Sequence, residues 1–113
     1  MRLKTDIYVS ALVRRVFGMG GFAAVERKGA EEAGAVFIRQ RFRDGTETLY
    51  GPAPQAYAMD DEADAGRHFE VRIKHAEAAE VDAVIERERK WDSDLWVLEL
   101  EIDELGELFP VTG

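Results

Sequence analysis

Residues 34–54 read GAVFIRQRFRDGTETLYGPAP: two β-rich runs, about 35–42 and 46–50, joined at Asp44-Gly45 and closed by Gly51-Pro52. Asp-Gly suits a hairpin turn, because tight turns need positive φ, which glycine adopts freely and aspartate tolerates. A hairpin with one apolar face must pack on something, so this stretch predicts a folded domain. Two registers fit it. A two-residue turn groups Leu49 with Val36, Ile38 and Phe42 and sets Tyr50 beside Arg39; a three-residue loop containing Arg43 exchanges Leu49 and Tyr50. In both registers Arg39 and Arg41 project from the face opposite Ile38 and Phe42.

Before the hairpin, residues 6–17 (DIYVSALVRRVF) predict a helix with Thr5 as its N-cap. Asp6, Ser10 and Arg14, widened by Arg15, form a narrow polar strip, and apolar side chains cover most of the rest. So broad an apolar surface implies packing on a sheet or at a subunit contact. Gly18-Met19-Gly20-Gly21 stops the helix, and a short strand is expected near Phe22–Arg27.

After the hairpin, an exposed acidic loop is expected between Pro52 and Gly66. His68–Lys74 alternates as a strand, with Phe69, Val71 and Ile73 on one face. Residues 76–91 predict a second helix with a stripe of Ala78, Val81, Val84, Ile85 and Trp91; Leu95–Ile102 predicts a last strand, and the tail to Gly113 a loosely held end. The order α-β-β-β-β-α-β over residues 1–113 predicts a single α+β domain in two layers. Its sheet would be mostly antiparallel, of about five strands, with both helices packed on one face.

The totals narrow the function classes. A chain of 113 residues with 46% apolar and 34% charged residues can bury a core as one soluble domain. With no cysteine it has no disulfide, thiolate metal site or cysteine nucleophile, and it suits a reducing compartment. Residues 1–43 hold nine basic and four acidic side chains, a net +5, whereas residues 44–113 hold six and nineteen, a net −13. Basic and acidic elements lying side by side would account for that asymmetry, and the overall −8 disfavours binding to nucleic acid. Arg14-Arg15 imitates a twin-arginine export signal, but Gly18, Gly20 and Gly21 break the apolar run such a signal needs. No segment has the apolar length to span a bilayer, so a cytoplasmic location is expected.

Most apparent motifs dissolve on inspection. Phosphate-binding glycine loops follow a strand and open a helix; Gly18-Met19-Gly20-Gly21 follows a helix and opens a strand, which makes it a C-cap. Asp60, Glu62 and Asp64 alternate like a calcium loop, but Ala65 and Val71 stand where glycine and a bidentate glutamate are required. His68 and His75 lack a third nitrogen or thiolate ligand, and Ser10 lies in a helix without a nucleophile elbow. No catalytic set, cofactor or metal site is expected.

Three groups of side chains remain. Arg39, Arg41 and Arg43, with Tyr50 close by, form a basic ladder suited to a carboxylate or phosphate, unless Glu99 and Glu101 balance it as a solvated face. Glu88 falls inside the second helix's stripe, where a salt bridge to Arg14 or Arg15 of the first helix is the expected structural role. Trp91 and Trp96 flank one helix-strand junction as candidate interface anchors.

Several blocks are shared with a known family: Met1-Arg2-Leu3, VSALVRR at 9–15, GGFAAVERKGAEEAGAVFI at 20–38, DG and LYGPAP within 44–54, and DSDLWVLELE at 92–101. In these the chain resembles the alphaproteobacterial domain of unknown function 1491 family. The resemblance implies a stand-alone single domain of about this length. It carries no activity, cofactor, partner or functional residue with it. The expectation is therefore a non-catalytic cytoplasmic domain that binds another protein or itself; the alternative is a small anion-binding or enzymatic domain using the arginine ladder.

Overall fold

The hairpin adopts the three-residue form. In the computed structural model, which describes residues 4–54 and 67–112, Ile38 pairs with Tyr50 and Arg39 with Leu49. The loop is then Arg43, Asp44 and Gly45: the Gly45 amide donates to the Phe42 carbonyl at 3.0 Å, and Gly45 takes φ +89°. A type I turn followed by a left-handed glycine is the usual three-residue solution, because it matches the twist of the flanking strands. Leu49 and Tyr50 consequently take the second of the two arrangements open to the sequence.

The elements follow in the order α1 (Thr5–Gly18), β1 (Phe22–Arg27), β2 (Val36–Arg41), β3 (Glu47–Pro52), β4 (Phe69–Ala76), α2 (Ala78–Trp91), β5 (Trp96–Glu101) and β6 (Val111–Thr112). The strands form one six-stranded sheet ordered β1-β5-β2-β3-β4-β6. The expected sheet was mostly antiparallel with five strands; the observed one is mixed, with β5 parallel to β2 and β6 parallel to β4. The reason lies in α2. It returns the chain from the end of β4 to the start of β5, so β5 runs in the direction of β4, three places away in the sheet, and of β2, its neighbour.

The helices lie on opposite faces, which corrects the expectation of one shared face. Val9, Leu12 and Val16 of α1 pack with Val36, Ile38, Tyr50, Trp96, Leu98 and Leu100. Val81 and Ile85 of α2 pack with Phe37, Leu49, Leu95 and Val97. Consecutive strand residues point to opposite sides, so β2 and β5 are apolar on both faces and each face needs its own cover. The result is three layers.

Local chemistry sets the element ends. Thr5 begins α1 as its first residue instead of capping it, and its buried hydroxyl donates to the Gly34 carbonyl at 3.1 Å. At the other end the Gly20 amide bonds the Phe17 carbonyl and the Gly21 amide bonds that of Val16, with Gly20 at φ +87°. This is a Schellman closure and confirms the C-cap reading. In β4 one residue bulges between the pairs Tyr50–Val71 and Leu49–Ile73. The bulge turns Phe69 to the α1 side and Ile73 to the α2 side, where strict alternation puts them together.

The tail is not loose. Leu108 and Phe109 are buried, and the Phe109 ring lies 4.8 Å from that of Phe69 and 5.4 Å from that of Tyr50. Arg15 holds the approach to it by donating to the carbonyls of Leu108 and Glu107 at 3.1 and 3.0 Å. The acidic loop expected between Pro52 and Gly66, with Asp60, Glu62 and Asp64, lies largely outside the described residues. Among the described residues no helix is long and apolar enough to cross a membrane.

Truncating Phe109 to alanine is expected to cost about 3–5 kcal/mol, the range for a large aromatic lost from a core. Urea denaturation of Phe109→Ala against the parent measures it; a loose tail would give a change within about 0.5 kcal/mol.

Candidate functional site

Arg39 and Arg41 leave β2 on the α2 side, and both meet one carboxylate. Glu47, at the start of β3, is fully buried. Its Oε1 accepts from Arg39 Nε at 2.8 Å, and its Oε2 accepts from Arg41 Nε at 2.9 Å and Nη2 at 2.8 Å. Arg39 is itself only 4% exposed. Its Nη1 also donates to Asp82 of α2 at 2.7 Å and to both oxygens of Glu26 in β1 at 3.2 Å. Burial acts to lower the Arg39 pKa, but the hydrogen bonds to Asp82 and Glu47 and the charges of Glu26 and Glu47 outweigh it and raise the pKa. Arg41 is raised chiefly by its hydrogen bond to Glu47. Both guanidiniums therefore stay charged across the physiological range.

This network dismantles the basic ladder as a single site. Arg39 is saturated by carboxylates, so an incoming anion would have to displace one of them. Tyr50 lies on the other side of the sheet, where its hydroxyl donates to Gln40 Oε1 at 2.9 Å. Burial raises the Tyr50 pKa. At Arg39 the face carrying the two arginines is covered by α2, whereas Arg41 nearer the strand end is half-exposed. Glu47, aligned with Arg41 across the hairpin, is the main balancing charge, where Glu99 and Glu101 were expected to serve. A cross-strand pair of opposite charges was a signal available in the sequence once the three-residue register is taken.

Arg41 and Arg43 reach a different place. Beyond the carboxyl ends of the parallel pair β2 and β5 lies a cleft of about 460 Å³, lined by Met19, Gly20, Gly21, Arg41, Phe42, Arg43, Gly45, Glu101, Ile102 and Asp103. Carboxyl ends of parallel strands are where open α/β sheets place ligands. Three connections meet there: the α1–β1 turn, the hairpin loop and the segment after β5. Buried groups hold its walls. Gln40, only 2% exposed, donates through Nε2 to the Ile102 carbonyl at 2.8 Å and to that of Asp103 at 3.3 Å. Arg43, an exposed side chain, meets Asp103 Oδ2 through Nε at 3.1 Å. Gln40, Ile102 and Asp103 had no recognisable motif in the sequence; only the fold joins them to Arg41.

The other candidates separate. Glu88 pairs with Arg72 at 3.6 Å, not with Arg14 or Arg15, because α1 and α2 have the sheet between them. Arg14 is exposed, and Arg15 serves the tail. Arg72 also lies 5.2 Å over the Phe37 ring, a stacking for which Gly51 makes room: a Cβ there would come within 2.7 Å of both. The two tryptophans have opposite fates. Trp91 is 90% exposed at the end of α2, whereas Trp96 is 3% exposed in the α1-side core with its indole N–H on the Ala30 carbonyl at 2.8 Å. Among the described residues no cluster of three or more metal-ligating side chains is found. His75 stacks on Phe42 at 4.4 Å.

Fold and cleft thus define a small mixed-sheet α+β domain whose ionisable groups are heavily cross-linked. The family model described as "Protein of unknown function (DUF1491)" matches residues 3–110, and the chain belongs to that family. It is similar to the solution structure of protein Atu0922 from A. tumefaciens, with 60% identity, a TM-score of 0.87, and coverage of 99% of this chain and 96% of that one. It is also similar to a DUF1491 family protein from Caulobacter crescentus CB15. The crystal structure of that protein gives 34% identity, a TM-score of 0.79 and full coverage of both chains. Its NMR structure gives 34% identity, a TM-score of 0.77, and coverage of 100% of this chain and 99% of that one. No curated protein matches the chain.

Two outcomes follow from the site. Glu47→Gln leaves two guanidiniums facing a neutral amide, and a broken buried ion pair costs about 3–5 kcal/mol. Arg43→Ala, at an exposed pair, should stay within about 1 kcal/mol of the parent in the same denaturation experiment. Asp44, at the hairpin turn, is the second group to test. Hydrogen bonds from the Thr46 hydroxyl and amide, at 2.7 and 2.9 Å, hold its carboxyl below the usual range. Its folded pKa is depressed, so its contribution to stability is present above the unfolded pKa and lost as pH falls through the folded one. Carboxyl-carbon NMR titration should show Asp44 titrating below an ordinary aspartate, and Thr46→Val should move it back up; an unchanged midpoint in the variant contradicts this assignment.

Proposed function

We propose that the protein is a non-catalytic interaction domain of the cytoplasm that binds a partner protein along the outer edge of β1. One observation carries this reading. Phe17 and Phe22, 52% and 44% exposed, form an edge-to-face pair at 5.7 Å where α1 ends and β1 begins. Met19, in the α1–β1 turn, and Val25, in β1, are exposed as well. The outer edge of β1 pairs with no strand among the described residues. Unpaired backbone groups beside exposed aromatic anchors are the elements of strand-addition recognition, in which main-chain bonds give affinity and side-chain contacts give specificity. The absence of cysteine suits a reducing compartment.

The alternative, an anion-binding or enzymatic site on Arg39, Arg41 and Tyr50, has weaker support. Its three residues lie on two faces of the sheet, and its most buried cation already holds three carboxylates.

Light-scattering mass and affinity capture, run in parallel on the parent and on a Phe22→Glu/Val25→Lys double variant, test the reading. The parent should form a dimer or retain a stoichiometric partner that the folded variant loses. A parent that stays monomeric and retains nothing the variant lacks contradicts it.

A further inference from the structure

The cleft beyond β2 and β5 adjoins the strand edge just described at Met19, but its chemistry is of another kind. We infer that it is a binding site for a free α-amino acid with an apolar side chain, held by its carboxylate on Arg41 and Arg43 and by its ammonium on Glu101 and Asp103.

The donors come first. Arg41 uses Nε and Nη2 on Glu47, which leaves Nη1 without a partner among the described residues. Arg43 meets Asp103 through Nε, leaving both Nη groups. Each guanidinium therefore retains N–H donors in the planar geometry that matches a carboxylate. Arg41 is held by the fully buried Glu47, so this part of the site is built into the fold and needs no ordering on binding.

The acceptors are as well placed. Glu101 lies beside Arg41 in the parallel β2–β5 register, and it makes no ion pair among the described residues. Asp103 meets Arg43 through Oδ2, leaving Oδ1 available, and its backbone is fixed by the buried Gln40. The end of α1 borders the same cleft through Met19, Gly20 and Gly21. A helix C-terminus carries partial negative charge and favours a cation. Two cationic and two anionic side chains with a helix C-terminus suit a zwitterion. They suit a phosphate ester poorly, since its second negative charge would meet Glu101 and Asp103.

Size and apolar lining complete the match. About 460 Å³ falls within the span of about 300–1,000 Å³ common to small-molecule sites. Met19, Phe42 and Ile102 supply apolar contact for a side chain. Phe42 is itself stacked on the His75 ring.

The test is an amide-shift NMR titration of the full chain with three probes: L-leucine, N-acetyl-L-leucine, which lacks the ammonium, and L-leucine amide, which lacks the carboxylate. Leucine should give saturable shifts confined to Gly20, Gly21, Phe42, Gly45, Ile102 and their neighbours. Each analogue should bind about tenfold or more weakly, the equivalent of one lost charge-assisted contact. Arg43→Ala and Asp103→Asn, both at exposed positions and expected to keep dispersed spectra, should each weaken leucine by a similar factor. No localised saturable shift with leucine, equal binding of either analogue, or undiminished affinity in the two variants overturns the inference. Val25→Lys alone, at a position paired with Leu98 and outside the cleft lining, should weaken strand-edge binding and leave these shifts untouched, so the two proposals fail separately.

Discussion

Glu47 is the carboxylate on which the architecture depends. It is wholly buried, accepts from two arginines of the neighbouring strand, and through Arg39 is joined to Asp82 of α2 and Glu26 of β1. Burying such a group costs several kcal/mol of hydration, and its attraction to a cation recovers that only when hydrogen bonding is nearly complete. Here it is nearly complete: both oxygens are engaged, and Arg39 has acceptors on three elements. Apolar residues of similar volume often replace such a buried network without loss of stability. What the charges add is position, because a guanidinium fork accepts its partners in few orientations. Arg39 thereby ties α2, through Asp82, to β1 and β3 beside the packing of Val81 and Ile85.

The need for that fixing arises from topology. β2 and β5 lie side by side in the middle of the sheet, with buried residues on both faces, and each face receives one helix. A polar residue in the covered part of β2 is therefore buried and must find a partner. Arg39 finds carboxylates, and Gln40 finds the Tyr50 hydroxyl and the carbonyls of Ile102 and Asp103. The first arrangement holds a helix. The second holds the chain leaving β5, and with it one wall of the cleft. Structural polar groups and candidate ligand-binding groups are thus consecutive links along one strand.

Much of the scaffold was legible because its signals are local. Asp44-Gly45 announced the hairpin, Gly20 the end of α1, and period-two alternation the strands β4 and β5. Three features were not legible, each for a non-local reason. Two-sided burial of β2 and β5 depends on the β4–α2–β5 connection passing over the sheet, which no window of residues contains. The β4 bulge moved Phe69 and Ile73 apart although their spacing put them on one face. The tail carries Leu108 and Phe109 as its buried anchors, without a periodic pattern, yet the rings of Tyr50 and Phe69 receive one of them. The arginine ladder was correctly seen as an alternating basic run. Whether it was an anion site or a balanced, solvated face stayed open, because alternation says which face a side chain leaves from, and not what already covers that face. Glu26, Asp82 and Gln40 gave no signal at all, since each matters only through a partner distant in the chain.

What distinguishes a held guanidinium from a mobile one is directly observable. Arginine side-chain NMR reports both the exchange of each Nε proton and the rotation about each guanidinium bond. Near neutral pH, Arg39 and Arg41 should show slowly exchanging Nε protons and hindered rotation, set against the averaged signal of the exposed Arg14. If Arg39 exchanges and rotates as freely as Arg14, Glu47 does not organise this structure and the account built on it is wrong.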